Sequence, residues 1–419
     1  MDPDGSLTWL DGLSRRGVRL GLGNMVELLG RLGDPHDGMR FVHVAGTDGK
    51  GSVCAMVESI LRASGFRVGA FTSPFIMRVN ECIRLDGEDV LDDDLSGVVS
   101  MVRPHVEDME ADGMECTYFE VLTAVALLYF RLVAAEIAVV EVGMGGRLDS
   151  TNVVVPEVSV INDVSMEHRG HLGDTIQEIA LQKAGIMKPG VPCVTSNDGP
   201  VLEVLMRHAE EIGSPLVQIS AREVEVVDSK PDSVDMLYRG ELYTVGLPGR
   251  HQAKNAALAI AAVSLLPDYV DRIVPHIAEG LEDVSWPCRM QKVMGMPLVV
   301  DATHTVSGAE CLRRDVEEIY GRVVLVLAML DDKDLDGVSG ILAPMADTVF
   351  VTQPDSPRAA TAEALAEIMS AHHGDVRARG TVAEAVEDAL EARGESMVLV
   401  TGSFRTAEDV LRWLQTRSA

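Results

Sequence analysis

The chain has 419 residues, 65 of them acidic and 36 basic, for a formal charge of −29. Hydrophobic residues at 47% and charged residues at 24% give a globular composition, long enough for about two or three domains with real cores. A surface this acidic repels phosphate, and 4% aromatic residues leave few stacking platforms, so nucleic acid is excluded as an expected partner.

Cys54, Cys82, Cys116, Cys193, Cys288 and Cys311 show no paired spacing, which speaks against a disulfide framework or zinc knuckle and for a reducing compartment. Residues 1–5 lack the positive region of a signal peptide. The longest apolar stretch, 121–130, is too short to span a bilayer. No membrane association and a cytoplasmic location are expected.

In chain order, Phe41–Ala45, Arg67–Thr72, Ile137–Val142, Val158–Ile161 and Val191–Thr195 read as strands. Ser52–Ala63 and Glu120–Leu132 read as helices, and Asp174 reads as the N-cap of a helix over Thr175–Ala184. This alternation predicts a mainly parallel α/β sheet wrapped by helices. Residues 223–246 alternate differently and predict a small antiparallel patch, after which His251–Leu266 returns to helix. A second series follows Trp286-Pro287, with strands at Leu298–Val300, Val323–Leu327, Thr348–Thr352 and Met397–Thr401. A boundary near 291–297 is expected, with a first domain over 1–290 and a second over 297–419.

The first strand runs directly into Gly46-Thr47-Asp48-Gly49-Lys50-Gly51-Ser52 and then a helix. Glycines let backbone amides approach phosphate oxygens, and the helix dipole adds a favourable field. Lys50 is placed for the terminal phosphates and the Ser52 hydroxyl for magnesium. The loop is a variant: Val44 stands at the position of the usual first glycine, and Gly51 separates the lysine from the hydroxyl.

This variant resembles the loop of the Mur ligase superfamily, specifically its folylpolyglutamate synthase / dihydrofolate synthase branch. The likeness continues in order through Thr72-Ser73-Pro74, Arg78-Val79-Asn80-Glu81, Thr117-Tyr118-Phe119-Glu120 and the run from Glu141 to Asn152. It extends through Glu167-His168, the run from Gln182 to Gly190, His251-Gln252 with Asn255, and Trp286-Pro287-Cys288-Arg289. Pro354-Asp355-Ser356-Pro357-Arg358-Ala359 and Thr401-Gly402-Ser403 close the series.

The resemblance implies a ligase that uses ATP to join L-glutamate to a folate-type or pteroate-type carboxylate, the chemistry of folate biosynthesis and one-carbon metabolism. It implies a P-loop ATPase domain, with its central mainly parallel sheet and small antiparallel patch, followed by a smaller Rossmann-like α/β domain. Family members are commonly monomers. By the same resemblance Ser52, Ser73 and Glu141 serve a first magnesium, and His168 a second. Lys183 matches a family lysine carbamylated by carbon dioxide, a modification that needs a neutral, partly desolvated amine. Asn255, Arg289 and Asp301 fall to the nucleotide, and His304 and Ser403 to the amine side. Thr117, Phe119, Arg147, Asp149 and Ser150 lie in segments the family uses for its pterin substrate. Lys333 is a weaker nucleotide candidate, and His171 a bystander.

Where the family reads Asp-Gly-Ala-His-Asn-Pro, this chain reads Asp301-Ala302-Thr303-His304-Thr305-Val306. Asp48, Glu167 and Cys288 replace the family's usual Asn, Asp and Gly. These departures leave open a Mur-type ligase acting on another carboxylate, such as a different pterin or a tetrapyrrole precursor. A non-enzymatic ATP switch is the third reading, which the retained second metal site speaks against.

Overall fold

The computed structural model describes residues 5–166 and 169–418. By internal contacts the chain forms two compact units, Met1–Glu223 with Lys254–Asp283, and Val224–Ala253 with Val284–Ala419.

The first unit is built on eight strands: β1 (Phe41–Ala45), β2 (Val68–Phe71), β3 (Ile83–Leu85), β4 (Glu88–Asp89), β5 (Ile137–Glu141), β6 (Val158–Ile161), β7 (Cys193–Thr195) and β8 (Leu216–Gln218). Their order is β4-β3-β2-β5-β1-β6-β7-β8. All pairs are parallel except those made by β3 and β4 at one edge. Every residue of β1, β2, β5 and β6 is buried. Parallel strands covered on both faces carry near-continuous apolar runs, which is why the sequence announces them. The strands expected at 67–72, 137–142 and 191–195 are present but trimmed at their ends.

Helix Lys50–Ala63 is buried from Gly51 to Leu61. Helix Tyr118–Leu132 is buried from Glu120 to Phe130 and begins two residues before its expected start. Its N-cap is Thr117, whose hydroxyl accepts from the Glu120 N–H, while the Glu120 carboxylate accepts from the Thr117 N–H at 2.6 Å. The same device corrects the expected cap at Asp174. Helix Ile176–Ala184 is capped by Thr175, which exchanges hydrogen bonds with Glu178. Asp174 lies one residue outside, its own N–H donating to Glu178 at 2.8 Å.

In the second unit, β9 (Val224–Ser229), β10 (Val234–Tyr238) and β11 (Glu241–Val245) form an antiparallel sheet whose central strand alternates buried and half-buried residues. A second sheet comprises β12 (Gln291–Lys292), β13 (Leu298–Val300), β14 (Val323–Leu327), β15 (Ala346–Val351), β16 (Val376–Ala378) and β17 (Met397–Thr401). Its order is β12-β13-β17-β14-β15-β16, parallel except for β12. Among the described residues, no helix is long and apolar enough to cross a membrane.

Candidate nucleotide and acid site

β1 lies between β5 and β6, so the turns that leave these strands open side by side at the carboxyl edge of the sheet, where α/β folds bind ligands. The turn after β1 is the expected phosphate loop. Gly49 caps helix Lys50–Ala63 with φ 76°, a left-handed conformation natural to glycine. A Cβ there would stand 2.4 Å from Asn162 Nδ2 and 2.8 Å from Asn255 Oδ1. These two asparagines are joined by a 2.8 Å hydrogen bond from Asn162 to Asn255, which forms a polar floor under the loop. Thr47 donates its N–H to the Asp163 carbonyl at 2.6 Å, and its hydroxyl accepts from the Ser165 N–H at 3.0 Å. The loop is thus fastened to the turn after β6.

Lys50 folds back over the loop, donating to the carbonyls of Gly46 at 3.1 Å and Thr47 at 3.0 Å. Lys183 reaches the same Gly46 carbonyl at 2.7 Å from helix Ile176–Ala184 and is 1% exposed. Ser52 is buried in the first turn of its helix. Glu141, the last residue of β5, is buried and accepts from the Ser73 N–H at 3.2 Å. The hard oxygens of Ser52, Ser73 and Glu141 are the donor types magnesium takes. Among the described residues, no group of three or more His, Cys, Asp or Glu side chains could hold a metal. Such a site would rest on hydroxyls, one carboxylate and substrate phosphates. His168 and Glu167 lie outside the described residues, and His171 is exposed.

Two of the acid-side candidates, Phe119 and Asp149, meet at Gly143. A Cβ there would meet Phe119 Cζ at 2.5 Å and Asp149 Oδ2 at 3.2 Å. Phe119 also stacks on Phe71, with centroids 5.7 Å apart. Asp149 accepts from the Met144 N–H at 2.8 Å, the Thr151 N–H at 3.0 Å and the Thr151 hydroxyl at 2.5 Å. Burial nevertheless holds its carboxyl above the usual range, outweighing these hydrogen bonds. Ser150 is buried beside it, whereas the Arg147 side chain is exposed and its N–H donates to the Gln182 carbonyl at 2.7 Å. The Thr117 hydroxyl is engaged as the helix cap described above.

In the second unit, Arg289 lies 5.3 Å from the Phe404 ring centroid and His304 5.8 Å from it, so the two candidates share one aromatic neighbour. Asp301 is buried and accepts from the N–H groups of Met290 at 3.0 Å and Thr303 at 2.7 Å, tying the residue before β12 to the turn after β13. Ser403 accepts from the Thr406 N–H at 3.0 Å, the N-cap pattern for helix Phe404–Ser418. Thr305 caps helix Val306–Tyr320 by accepting from Gly308, the role open to an Asn at that position. Lys333 pairs with Asp332 at 3.3 Å.

Sequence reasoning missed several residues. Asn162 follows an apolar strand directly, a polar residue at a carboxyl end, and that was its signal. Arg84 and Glu58 form a buried pair at 2.6 Å, and Arg84 also donates to the Thr72 hydroxyl at 3.1 Å, next to Ser73. Phe404 and His43 gave no pattern that separates them from core residues.

The sequence pattern of the Mur ligase middle domain matches residues 44–263, and that of the Mur ligase glutamate ligase domain matches residues 288–404. The chain belongs to the Mur ligase family. This Mur ligase is 33% identical to the dihydrofolate synthase/folylpolyglutamate synthase of Bacillus subtilis, over 97% of this chain and 98% of that one. It is 36% identical to a probable bifunctional folylpolyglutamate synthase/dihydropteroate synthase of Halobacterium salinarum, over 99% of this chain and 52% of that longer protein. The crystal structure of Mycobacterium tuberculosis folylpolyglutamate synthase, complexed with ADP and AMPPCP, superposes with a TM-score of 0.88 at 30% identity. That match covers 97% of this chain and 98% of the mycobacterial one. The chain is therefore an acid–amino-acid ligase of the folylpolyglutamate/dihydrofolate synthase branch.

Proposed function

We propose that this ligase activates the carboxylate of a folate-type acid with ATP and joins it to L-glutamate. A carboxylate oxygen attacks the γ-phosphorus, ADP leaves, and an acyl phosphate forms. The glutamate amine then attacks the acyl carbon, orthophosphate leaves, and the amine gives up a proton. The first step sets an anion against a polyanion, so positive charge must converge there. Lys50 supplies part of it. Magnesium, when bound by Ser52, Ser73 and Glu141, supplies charge neutralisation at the β- and γ-phosphates. His168 and Lys183, the latter as a carbamate, are the assigned ligands of a second ion.

The backbone N–H groups of residues 46–52 cradle the phosphates, and Asn255, Arg289 and Asp301 serve the rest of the nucleotide. Phe119, Arg147, Asp149, Ser150 and Thr117 hold the pterin acid, Thr117 through its helix cap. His304 and Ser403 are assigned to glutamate, and the chain is taken to act as a cytoplasmic monomer. We assign ATP and acid binding to the domain over 1–290, and the amino-acid side together with closure over ATP to the domain over 297–419.

The observation that supports this reading best is the placement of the phosphate loop, after β1, on the strand next to β5, whose following turn carries Gly143 and Asp149 with Phe119 packed against it. Nucleotide and acid then share one sheet edge. A phosphate-release assay with ATP, magnesium and L-glutamate over a panel of acids tests it. Release that requires both glutamate and dihydropteroate, tetrahydrofolate or a folylpolyglutamate is expected. Stimulation by none of these, with turnover on another pterin or a tetrapyrrole acid, would replace the folate assignment.

A further inference from the structure

We infer that His43 is a positioning residue for the acid substrate, acting through Thr151 on Asp149. The inference rests on the reading above that the Gly143–Asp149 turn holds the acid.

His43 is the one polar side chain in β1 and is 0% exposed. A parallel strand covered on both faces favours apolar residues throughout, so an imidazole here needs a reason. Its Nε2 stands 2.9 Å from Thr151 Oγ1, and its Nδ1 is buried with no hydrogen-bond partner. Leaving that nitrogen unsatisfied costs stability. The Nε2 contact is what the cost secures.

Proton directions in this chain are fixed from its far end. Asp149 accepts from two backbone N–H groups and from the Thr151 hydroxyl, the last at 2.5 Å. The Thr151 proton is therefore spent on Asp149, and its oxygen can only accept from His43. That sets the imidazole as neutral with its proton on Nε2. Burial, with the nearby Lys188 charge adding to it, pushes the His43 imidazolium down to about 3, so the tautomer persists across the working pH range.

The far end of the chain is the acid-side cluster. Asp149 Oδ2 closes the turn onto Met144 and, with the Phe119 ring, packs closely against Gly143. The near end stands three residues before Gly46, the first residue of the phosphate loop. One strand thus carries the nucleotide loop on its backbone and steadies the acid turn with a side chain. Loss of the relay should loosen the acid turn while leaving the loop, which is fastened to Asp163 and Ser165, as it was.

The test compares steady-state kinetics of wild type, Thr151→Val, Thr151→Ser and His43→Leu, with melting temperatures alongside. Thr151→Val and His43→Leu should raise KM for the pteroate-type acid about tenfold, the effect of one lost buried hydrogen bond, with KM for ATP within about twofold of wild type. Thr151→Ser keeps the hydroxyl and should keep the wild-type KM. His43→Leu suits a buried strand, and Thr151→Val preserves shape, so either one can carry the result alone. Folded variants with unchanged acid KM, or with both KM values raised alike, would overturn the inference. So would Thr151→Ser behaving as Thr151→Val. A wild type with no acid-dependent phosphate release fails the functional reading instead, so the two failures are distinguishable.

Discussion

Lys183 Nζ donates to the Gly46 carbonyl at 2.7 Å, so a fully buried lysine on helix Ile176–Ala184 holds the first residue of the phosphate loop. The same amine is the one assigned to carbamate formation. An unmodified Lys183 is a donor to the loop, whereas a carbamate would face it with oxygens. The two states have different partners, and the residue is testable on that ground.

On the carbamate assignment, Lys183→Ala should lower kcat at least about a hundredfold, since it would remove an anionic ligand worth several kcal/mol of transition-state charge stabilisation. Short carboxylates added to the assay should restore part of the rate. Full activity in Lys183→Ala would end the carbamate assignment.

Gly49→Ala should weaken ADP binding by at least about tenfold, measured by calorimetry. A left-handed alanine costs about 1–2 kcal/mol before any clash is counted, and the new Cβ would stand 2.4 Å from Asn162 Nδ2. Because the strain falls on the loop, far-ultraviolet circular dichroism should be unchanged. Wild-type ADP affinity in this variant would show that the floor of Asn162 and Asn255 yields without consequence.

His43 makes a signed prediction about acid stability. Its folded value of about 3 lies below the unfolded value of about 6.5. Between these values the unfolded chain binds a proton that the folded chain refuses, so this contribution is complete above about pH 6.5 and is lost as pH falls toward 3. The slope is at most about 1.4 kcal/mol per pH unit. Urea titrations of wild type and His43→Leu should give an unfolding free-energy difference that is flat above neutrality and shifts in favour of the variant on acidification. A difference constant from pH 7 to 4 would contradict the burial argument.

Cys288, at the position where the family resemblance implies glycine, adopts φ 55°. A non-glycine residue in that region costs about 1–2 kcal/mol, against about 0.5–1 kcal/mol for glycine's extra chain entropy. Cys288→Gly should therefore be neutral or stabilising by up to about 1.5 kcal/mol in a denaturant titration, and Cys288→Val should be clearly destabilised. The reverse order would mean that packing of the buried thiol outweighs backbone strain.

Much of this was legible in the sequence because buried parallel strands write themselves as apolar runs. β1, β5, β6, β13, β14 and β17 were all visible this way. The short strands β3, β4, β8, β12 and β16 were not, since they lie toward sheet edges and most carry half-buried or exposed residues. Hydroxyl residues near helix starts were the main source of ambiguity. Thr117 and Ser403 are ligand candidates in the family pattern, and the hydroxyl of each also accepts a helix-cap hydrogen bond. Asp174 and Thr175 are both good caps by type, and only the Glu178 partnership decides between them. His43 was invisible for the opposite reason. A polar residue inside an apolar run looks like noise until its partner, 108 positions away, is in view.

The pleat of β1 ties two properties of this ligase to one reading frame. Successive side chains of a strand point to opposite faces, so inserting one residue between His43 and Gly46 would turn either the imidazole away from Thr151 or the loop away from Asn162. Inserting two would restore the facing but lengthen the reach. In this chain the acid turn or the nucleotide loop can therefore change by substitution, while an insertion or deletion within that short stretch would uncouple the two.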